Sequence, residues 1–255
     1  MNDSFPPLVG YFHVCFKKHW KTSFDLVWKQ LKQSGLYDRT QEIRIGIAQD
    51  ETQHFTENGR FLDPKIKIVA RGTTSQYERI TLLKMRKDAE REAKDTLYWY
   101  AHTKGIRHFD TPREPYIRAW LQVLYDSNFQ NWKVAVQVLK EKKADVYGCL
   151  YMHHSYLSGN FWWTTPEHVK NIPFQIQTHY SAPEEWILMS KNSVTIAETF
   201  SQYGDPYSIL PPQKQHCVHF REHYSLRFMA KIALLVLFLF FTSLFSLVFY
   251  SKFQH

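Results

Sequence analysis

Residues 8–48 read LVGYFHVCFKKHWKTSFDLVWKQLKQSGLYDRTQEIRIGIA, and this stretch decides the fold. Its first part, Leu8 to Phe16, is an unbroken run of apolar, aromatic and β-branched residues, the pattern of a strand buried on both faces. Periodicity then changes. From Ser23 to Gln33 the residues Phe24, Val27, Trp28 and Leu31 recur at helical spacing, with Ser23 placed to cap the helix and Gly35 placed to end it. Glu42 to Ala48 alternates and reads as a second strand. Strand, helix and strand within about forty residues predict a βαβ unit, whose two strands pair in parallel.

Working outward, the alternation continues. Ile66 to Ala70 reads as a strand, Tyr77 to Lys94 as a helix with a charged outer face, and Leu97 to Ala101 as a strand. Pro115 to Lys140 carries one or two helices, with Trp120, Leu121 and Leu124, then Trp132, Val136 and Leu139, on apolar faces. Val146 to Tyr151 is a further strand, and short helices are predicted at Pro166 to Asn171 and Pro183 to Met189. The expected fold is α/β, a mainly parallel central sheet with helices on both faces. Ligands in such sheets bind beyond the C-terminal ends of the strands. That rule directs attention to the loops after Phe16, Ala48, Ala101 and Tyr151. Beyond Pro173 the periodicity weakens, and the chain is expected to wrap the domain.

Near the C-terminus, Ile232 to Tyr250 holds 19 residues with no charge, Gly or Pro. At about 1.5 Å per residue this reaches roughly 28 Å, close to the hydrocarbon thickness of a bilayer. Arg221, Arg227 and Lys231 precede the run and Lys252 follows it, so the positive-inside bias places the bulk of the chain in the cytosol. The expected organisation is an α/β domain over residues 1–202, a connecting segment over 203–226, one transmembrane helix over 227–251 and a short tail over 252–255.

The net charge is +8 with neutral histidines. The Lys and Arg residues are scattered rather than striped, which suits a basic domain near an anionic membrane and argues against a nucleic-acid partner. Cys15, Cys149 and Cys217 are odd in number and far apart, so they form no disulfide framework and no paired metal spacing.

Four local features could carry chemistry. His102-Thr103-Lys104-Gly105 follows an apolar strand. It reads either as a phosphate contact, with Lys104 as the charge and Gly105 allowing backbone amides to approach, or as a turn with a solvated lysine. Ser158-Gly159-Asn160-Phe161-Trp162-Trp163 offers a tight turn and an amide able to bind a sugar or base edge, or else a core strand with its two tryptophans on opposite faces. His153 and His154 are adjacent, would point to opposite sides in a strand, and do not make a metal pair. Pro183-Glu184-Glu185-Trp186 places carboxylates at a helix start, either for the helix dipole or as a general base. No Asp-x-Asp occurs anywhere in the chain.

The order of these segments resembles a family of glycosyltransferase-like proteins. Residues 11–47, YWYAHTKGI at 98–106, SGNFWWTTPEHVKNIP at 158–173 and APEEWI at 182–187 carry the resemblance, and SGNFWW is the most specific block. The resemblance implies a GT-A-like, Rossmann-like nucleotide-diphospho-sugar transferase fold. It implies transfer of a sugar from a nucleotide-sugar donor to a hydroxyl of a glycan, lipid or protein. By the same resemblance, Tyr11 to Phe16 and the polar residues just after would hold the nucleotide base, and His102, Thr103, Lys104 and Gly105 the diphosphate. Ser158, Gly159 and Asn160 would border the donor sugar and acceptor, and Glu185 would bind or activate the acceptor hydroxyl. With no Asp-x-Asp, Lys104 stands where a divalent metal is usual, which argues against a metal cofactor. Tyr156 stands where the family carries a histidine, and the hydrophobic run lies at the C-terminal end rather than the N-terminal one. These departures keep a second function open, a catalytically inactive membrane-attached scaffold or carbohydrate-binding protein of the same fold.

Overall fold

The computed structural model describes residues 5–50, 59–153, 155–199 and 218–223. The predicted βαβ unit is present: β1 (Leu8–Cys15), α1 (Trp20–Gln33), a single turn α2 (Leu36–Arg39) and β2 (Thr40–Ala48). Gly35 separates the two helices at φ 74°, a left-handed position that favours glycine. Next come β3 (Ile66–Gly72), α3 (Arg79–Ala89) and β4 (Leu97–His102). α4 (Glu114–Tyr125) runs through a π-turn into α5 (Trp132–Lys140) and β5 (Val146–Gly148). A small hairpin, β6 (Tyr151–Met152) and β7 (Tyr156–Leu157), precedes β8 (Trp162–Thr164) and α6 (Pro166–Lys170). The described chain ends with α7 (Ala182–Glu185), β9 (Val194–Glu198) and β10 (His219–His223).

Eight strands form one sheet in the order β10-β9-β5-β8-β4-β1-β2-β3. Six run in one direction; β8 and β10 are antiparallel to their neighbours. The chain winds outward from β1 to β3, then returns through α3 to place β4 on the other side of β1. The β1–β4 boundary is therefore a topological switch point, where loops diverge above the sheet and leave a crevice. β4 and β1 can lie close because Gly10 pairs with Trp99 in register; a Cβ at Gly10 would collide with the Trp99 indole. That indole donates to Thr40 Oγ1 at 3.1 Å, tying the start of β2 to the same seam.

Both faces are covered, as the alternation predicts. On one, Phe12, Phe24, Val27, Leu31, Leu121 and Val136 bring α1, α4 and α5 onto the sheet. On the other, Tyr11, Leu82, Met85, Tyr98, Tyr100 and Trp162 join α3 to the aromatic middle of the sheet. Side chains buried this fully contribute roughly 1.5–3 kcal/mol each relative to exposure.

Three differences from the sequence reading are instructive. α1 begins at Trp20, not Ser23; Ser23 instead donates its hydroxyl to the Lys104 carbonyl at 3.0 Å. The stretch read as one strand from Val146 is broken at Leu150, which takes φ 57°, so the chain turns out of the sheet into the hairpin. β9 and β10 were not anticipated, and β10 lies within the segment expected to be a connector. Each is five residues long, and the exposed edge strand His219–His223 is polar, so neither shows a helix period or a long apolar run. The hydrophobic run Ile232–Tyr250, and with it the span expected over 227–251, lies outside the described residues. Among the described residues no helix is long and apolar enough to cross a membrane.

Candidate functional site

A polar cleft opens at the switch point, with a cavity volume of about 140 Å³. The end of β1 contributes His13, Cys15 and Lys17; the turn after β4 contributes His102 through His108. The entry to α3 supplies Tyr77 and Glu78, α4 supplies Ile117 and Trp120, and the last wall is Tyr180, Pro183 and Glu184.

The turn after β4 is fixed by its neighbours. Thr103 donates its backbone N–H to His13 O at 2.9 Å, and its hydroxyl accepts from the Cys15 N–H at 3.0 Å. Thr103 thus continues the β1–β4 pairing past the last ladder residues. Gly105 sits at φ 77°, and a Cβ there would come within 2.5 Å of Ile117. Lys104 projects into the cleft, where its Nζ donates to Glu184 Oε1 at 3.2 Å and lies 4.5 Å from the centre of the Trp120 ring. The lysine stem rests on an aromatic face while its charge meets a carboxylate.

Beneath this lies a buried polar network centred on Glu78. Its Oε2 accepts from the Tyr100 hydroxyl and from Asn160 Nδ2, both at 2.6 Å. Burial, then the neighbouring Glu78 charge, raise the Tyr100 phenol well above its ordinary pKa, so it stays a donor. His102 Nδ1 lies 3.8 Å from Glu78 Oε1, while His102 Nε2–H donates to the Gly159 carbonyl at 3.0 Å. Burial, followed by the Lys104 charge, lowers the His102 pKa to about 3. His13 shares a hydrogen bond between Nδ1 and Thr81 Oγ1 at 2.8 Å, and burial lowers its pKa to about 4. Its Nε2 is buried without a hydrogen-bond partner. An imidazole nitrogen left unpaired at a cleft is available to a ligand or a water.

The Ser158–Asn160 turn reaches this rim because β8 runs antiparallel to β4, which sets Trp162 beside Tyr100. Gly159 takes φ 92°, where a Cβ would approach Leu124 to 2.7 Å. Asn160 takes φ 53° and is 0% exposed. Its amide donates to Glu78 and its Oδ1 accepts from Trp162 Nε1 at 2.6 Å. The turn is therefore built into the support of the cleft and does not line it. Trp162 and Trp163 do fall on opposite faces, and both are 0% exposed.

Of the sequence candidates, His102, Thr103, Lys104 and Gly105 line the cleft, while Ser158, Gly159, Asn160 and Glu185 do not. Glu185 accepts from the Ser181 hydroxyl at 2.9 Å and lies 3.7 Å from His179 Nε2. The carboxylate that enters the cleft is its neighbour, Glu184. Successive residues in a helical turn differ by about 100° in direction, so one of two adjacent glutamates turns inward and the other outward. Of the stretch Tyr11 to Phe16, only His13 and Cys15 reach the cleft; Tyr11, Phe12 and Val14 are core. Sequence reasoning missed Tyr77, Glu78 and Tyr180, and took His13 only as part of the stretch Tyr11 to Phe16. The rule that sites form beyond strand ends pointed to His13 through the end of β1. Tyr180 sits in a segment without periodicity and carries no local signal. Among the described residues no group of three or more His, Cys, Asp or Glu side chains is arranged to hold a metal ion.

The fold and cleft together define a mixed α/β protein with a largely parallel sheet and a polar, lysine-bearing crevice at its switch point. No protein-family model and no curated protein matches the chain. Among solved structures, 4-diphosphocytidyl-2C-methyl-D-erythritol synthase from Anaerococcus prevotii is similar, with a TM-score of 0.42 and 8% identity. The match covers 82% of this chain and 94% of that one. A score at this level defines neither a shared fold nor a shared reaction.

Proposed function

We propose that the cleft binds a nucleotide-sugar donor and that the protein is a glycosyltransferase-like enzyme acting on a glycan, lipid or protein hydroxyl. The observation that carries the reading is Lys104, half-sheltered on Trp120 at the switch point of a mainly parallel sheet. A cation held there would neutralise the diphosphate as its bond to the anomeric carbon breaks and the acceptor oxygen bonds to that carbon. Glu184, 3.2 Å from Lys104, is the carboxylate placed to accept the acceptor's proton. In this reading it takes the role that the resemblance gave to Glu185. The test is calorimetry with nucleoside diphosphates and nucleotide sugars, followed by sugar-transfer assays. Absence of binding at millimolar concentration would sink the proposal.

A second reading, a binding or scaffold protein without turnover, is favoured by two observations. Lys104 is already paired with Glu184, and Asn160 spends its side chain on Glu78 and Trp162. Saturable donor binding with neither transfer nor donor hydrolysis would select it.

We further propose that residues 227–251 anchor the protein, with the domain in the cytosol. β10 runs antiparallel to β9, so His223 pairs with Val194 on the rim opposite the cleft. Eight residues, 224–231, separate His223 from Ile232 and span at most about 29 Å when extended. Glycosylation mapping tests the topology: a sequon added after Lys252 should be modified and one inside the domain should not.

A further inference from the structure

The resemblance implicates residues 11–16 in holding a base, yet no tyrosine or phenylalanine ring there is open for stacking. Tyr11 and Phe12 are 0% exposed, and Phe16 stacks on Trp20 at 4.2 Å. Open aromatic surface in the cleft lining is supplied instead by Tyr180. Tyr180 is 69% exposed, and its ring meets Tyr77 edge to face at 5.3 Å and 89°.

Two features make this pair a built platform rather than stray surface aromatics. The first is a strap. Arg79, at the start of α3, donates from Nη2 to Gln177 O at 2.6 Å and to His179 O at 2.7 Å, and from Nε to Gln177 O at 3.0 Å. The loop carrying Tyr180 is thereby fastened to the helix whose entry carries Tyr77. The second is strain. Tyr77 takes φ 50° and ψ −137°, a conformation bulky residues avoid at a cost of about 1–3 kcal/mol. The preceding turn, Thr74–Gln76, is closed by a capping box between Thr73 and Gln76, and Tyr77 follows directly as its C-terminal residue. A glycine would relieve the strain; a tyrosine is held there instead, with the Arg79 guanidinium 5.8 Å from its ring centre.

We infer that the Tyr77–Tyr180 pair is a stacking platform for the nucleobase of a nucleoside diphosphate whose phosphates point inward to Lys104. The inference rests on the nucleotide-binding reading above and names where its base is held. A planar base presents a π-face to either ring, which gives affinity with little sequence of hydrogen bonds and so little preference among bases.

The experiment is calorimetry on the full chain in detergent, with UDP, ADP, inorganic pyrophosphate and a sugar 1-phosphate at one salt concentration. The wild type should bind UDP and ADP about 10- to 100-fold more tightly than pyrophosphate, the range expected for one stacked base. Tyr180→Ala should remove most of that advantage and leave pyrophosphate affinity within about twofold. Tyr77→Gly should do the same while removing the backbone strain, so its fold is retained and the loss cannot be assigned to unfolding. Pyrophosphate binding with no advantage for the nucleotides overturns the platform and leaves the phosphate site standing. An advantage unchanged in both variants overturns it too, as does a Tyr180-dependent gain for the sugar 1-phosphate alone. Failure of every ligand to bind overturns both this inference and the function it rests on.

Discussion

Two stretches of similar promise in the sequence, His102–Gly105 and Ser158–Asn160, meet at one rim of the sheet and do different jobs. The first ends in a lysine that enters the cleft. The second is consumed by the fold: Gly159 O holds His102, and Asn160 ties Glu78 to Trp162. Polar residues in a tight turn can be read as ligand contacts or as internal supports, and the partners decide which. Here the supporting turn is the more buried of the two, which places its energy in stability and leaves binding to the lysine side.

The largest effect that sharpens this contrast is Asn160→Ala. It leaves the Trp162 N–H without its acceptor, removes one donor from Glu78, and puts alanine at φ 53°. The expected loss is about 3–5 kcal/mol of stability, from the unsatisfied Trp162 N–H, the lost hydrogen bond to the Glu78 carboxylate and a left-handed alanine. Denaturant unfolding measures it. A variant as stable as wild type would break the contrast, because Asn160 would then be free to serve a ligand.

The joint between the stretches is His102, and it makes a pH prediction. His13 and His102 are kept neutral by burial, with pKa values lowered to about 4 and about 3, whereas an unfolded histidine titrates near pH 6.5. Below about pH 6.5 the unfolded chain binds more protons than the folded one, so stability is full above that value and falls as the solution is acidified toward pH 4. The expected loss over that window is on the order of 3 kcal/mol for each of the two histidines. His13→Asn should flatten the slope of unfolding free energy against pH between about 6.5 and 4. An unchanged slope would mean that the imidazole charges without disturbing the network.

How much of this was legible beforehand follows from where each signal resides. The βαβ unit was readable because Leu8–Cys15 and the face of Phe24, Val27 and Leu31 each bury one continuous surface. The strand ends located the rim, and with it Lys104. What stayed hidden depends on contacts between residues far apart. Glu78 becomes the centre of a network only when Tyr100 and Asn160, 22 and 82 residues away, fold onto it. Glu184 and Glu185 are equivalent in sequence until α7 fixes which one faces Lys104. Strands β9 and β10 are too short, and β10 too polar, to announce themselves.

On the other side of the contrast, Lys104→Met should leave stability within about 1 kcal/mol, since the ion pair with Glu184 is partly exposed and the methionine still covers Trp120. Affinity for a nucleoside diphosphate should fall about tenfold, the loss of one charge-assisted contact. Calorimetry on the variant measures both ligand affinity and enthalpy. A large stability loss with unchanged affinity would reverse the roles given to the two stretches.

The smallest expected effect is the most discriminating. Ser158 begins the supporting turn, and its backbone N–H donates to Leu150 O at 2.9 Å, a bond that alanine keeps. The residue is 8% exposed, and its side chain does not line the cleft. Removing the hydroxyl should shift stability by less than about 0.5 kcal/mol, as for a substitution outside any buried network. Nucleotide affinity should not change. Asn160→Ala cannot separate support from contact if it unfolds the rim, whereas Ser158→Ala removes only a potential ligand contact from an intact turn. A fivefold loss of donor affinity in a fully folded Ser158→Ala variant would put this turn beside the ligand. The division between a binding stretch and a supporting stretch would then fail at Ser158, whose hydroxyl makes no hydrogen bond to another of the described residues.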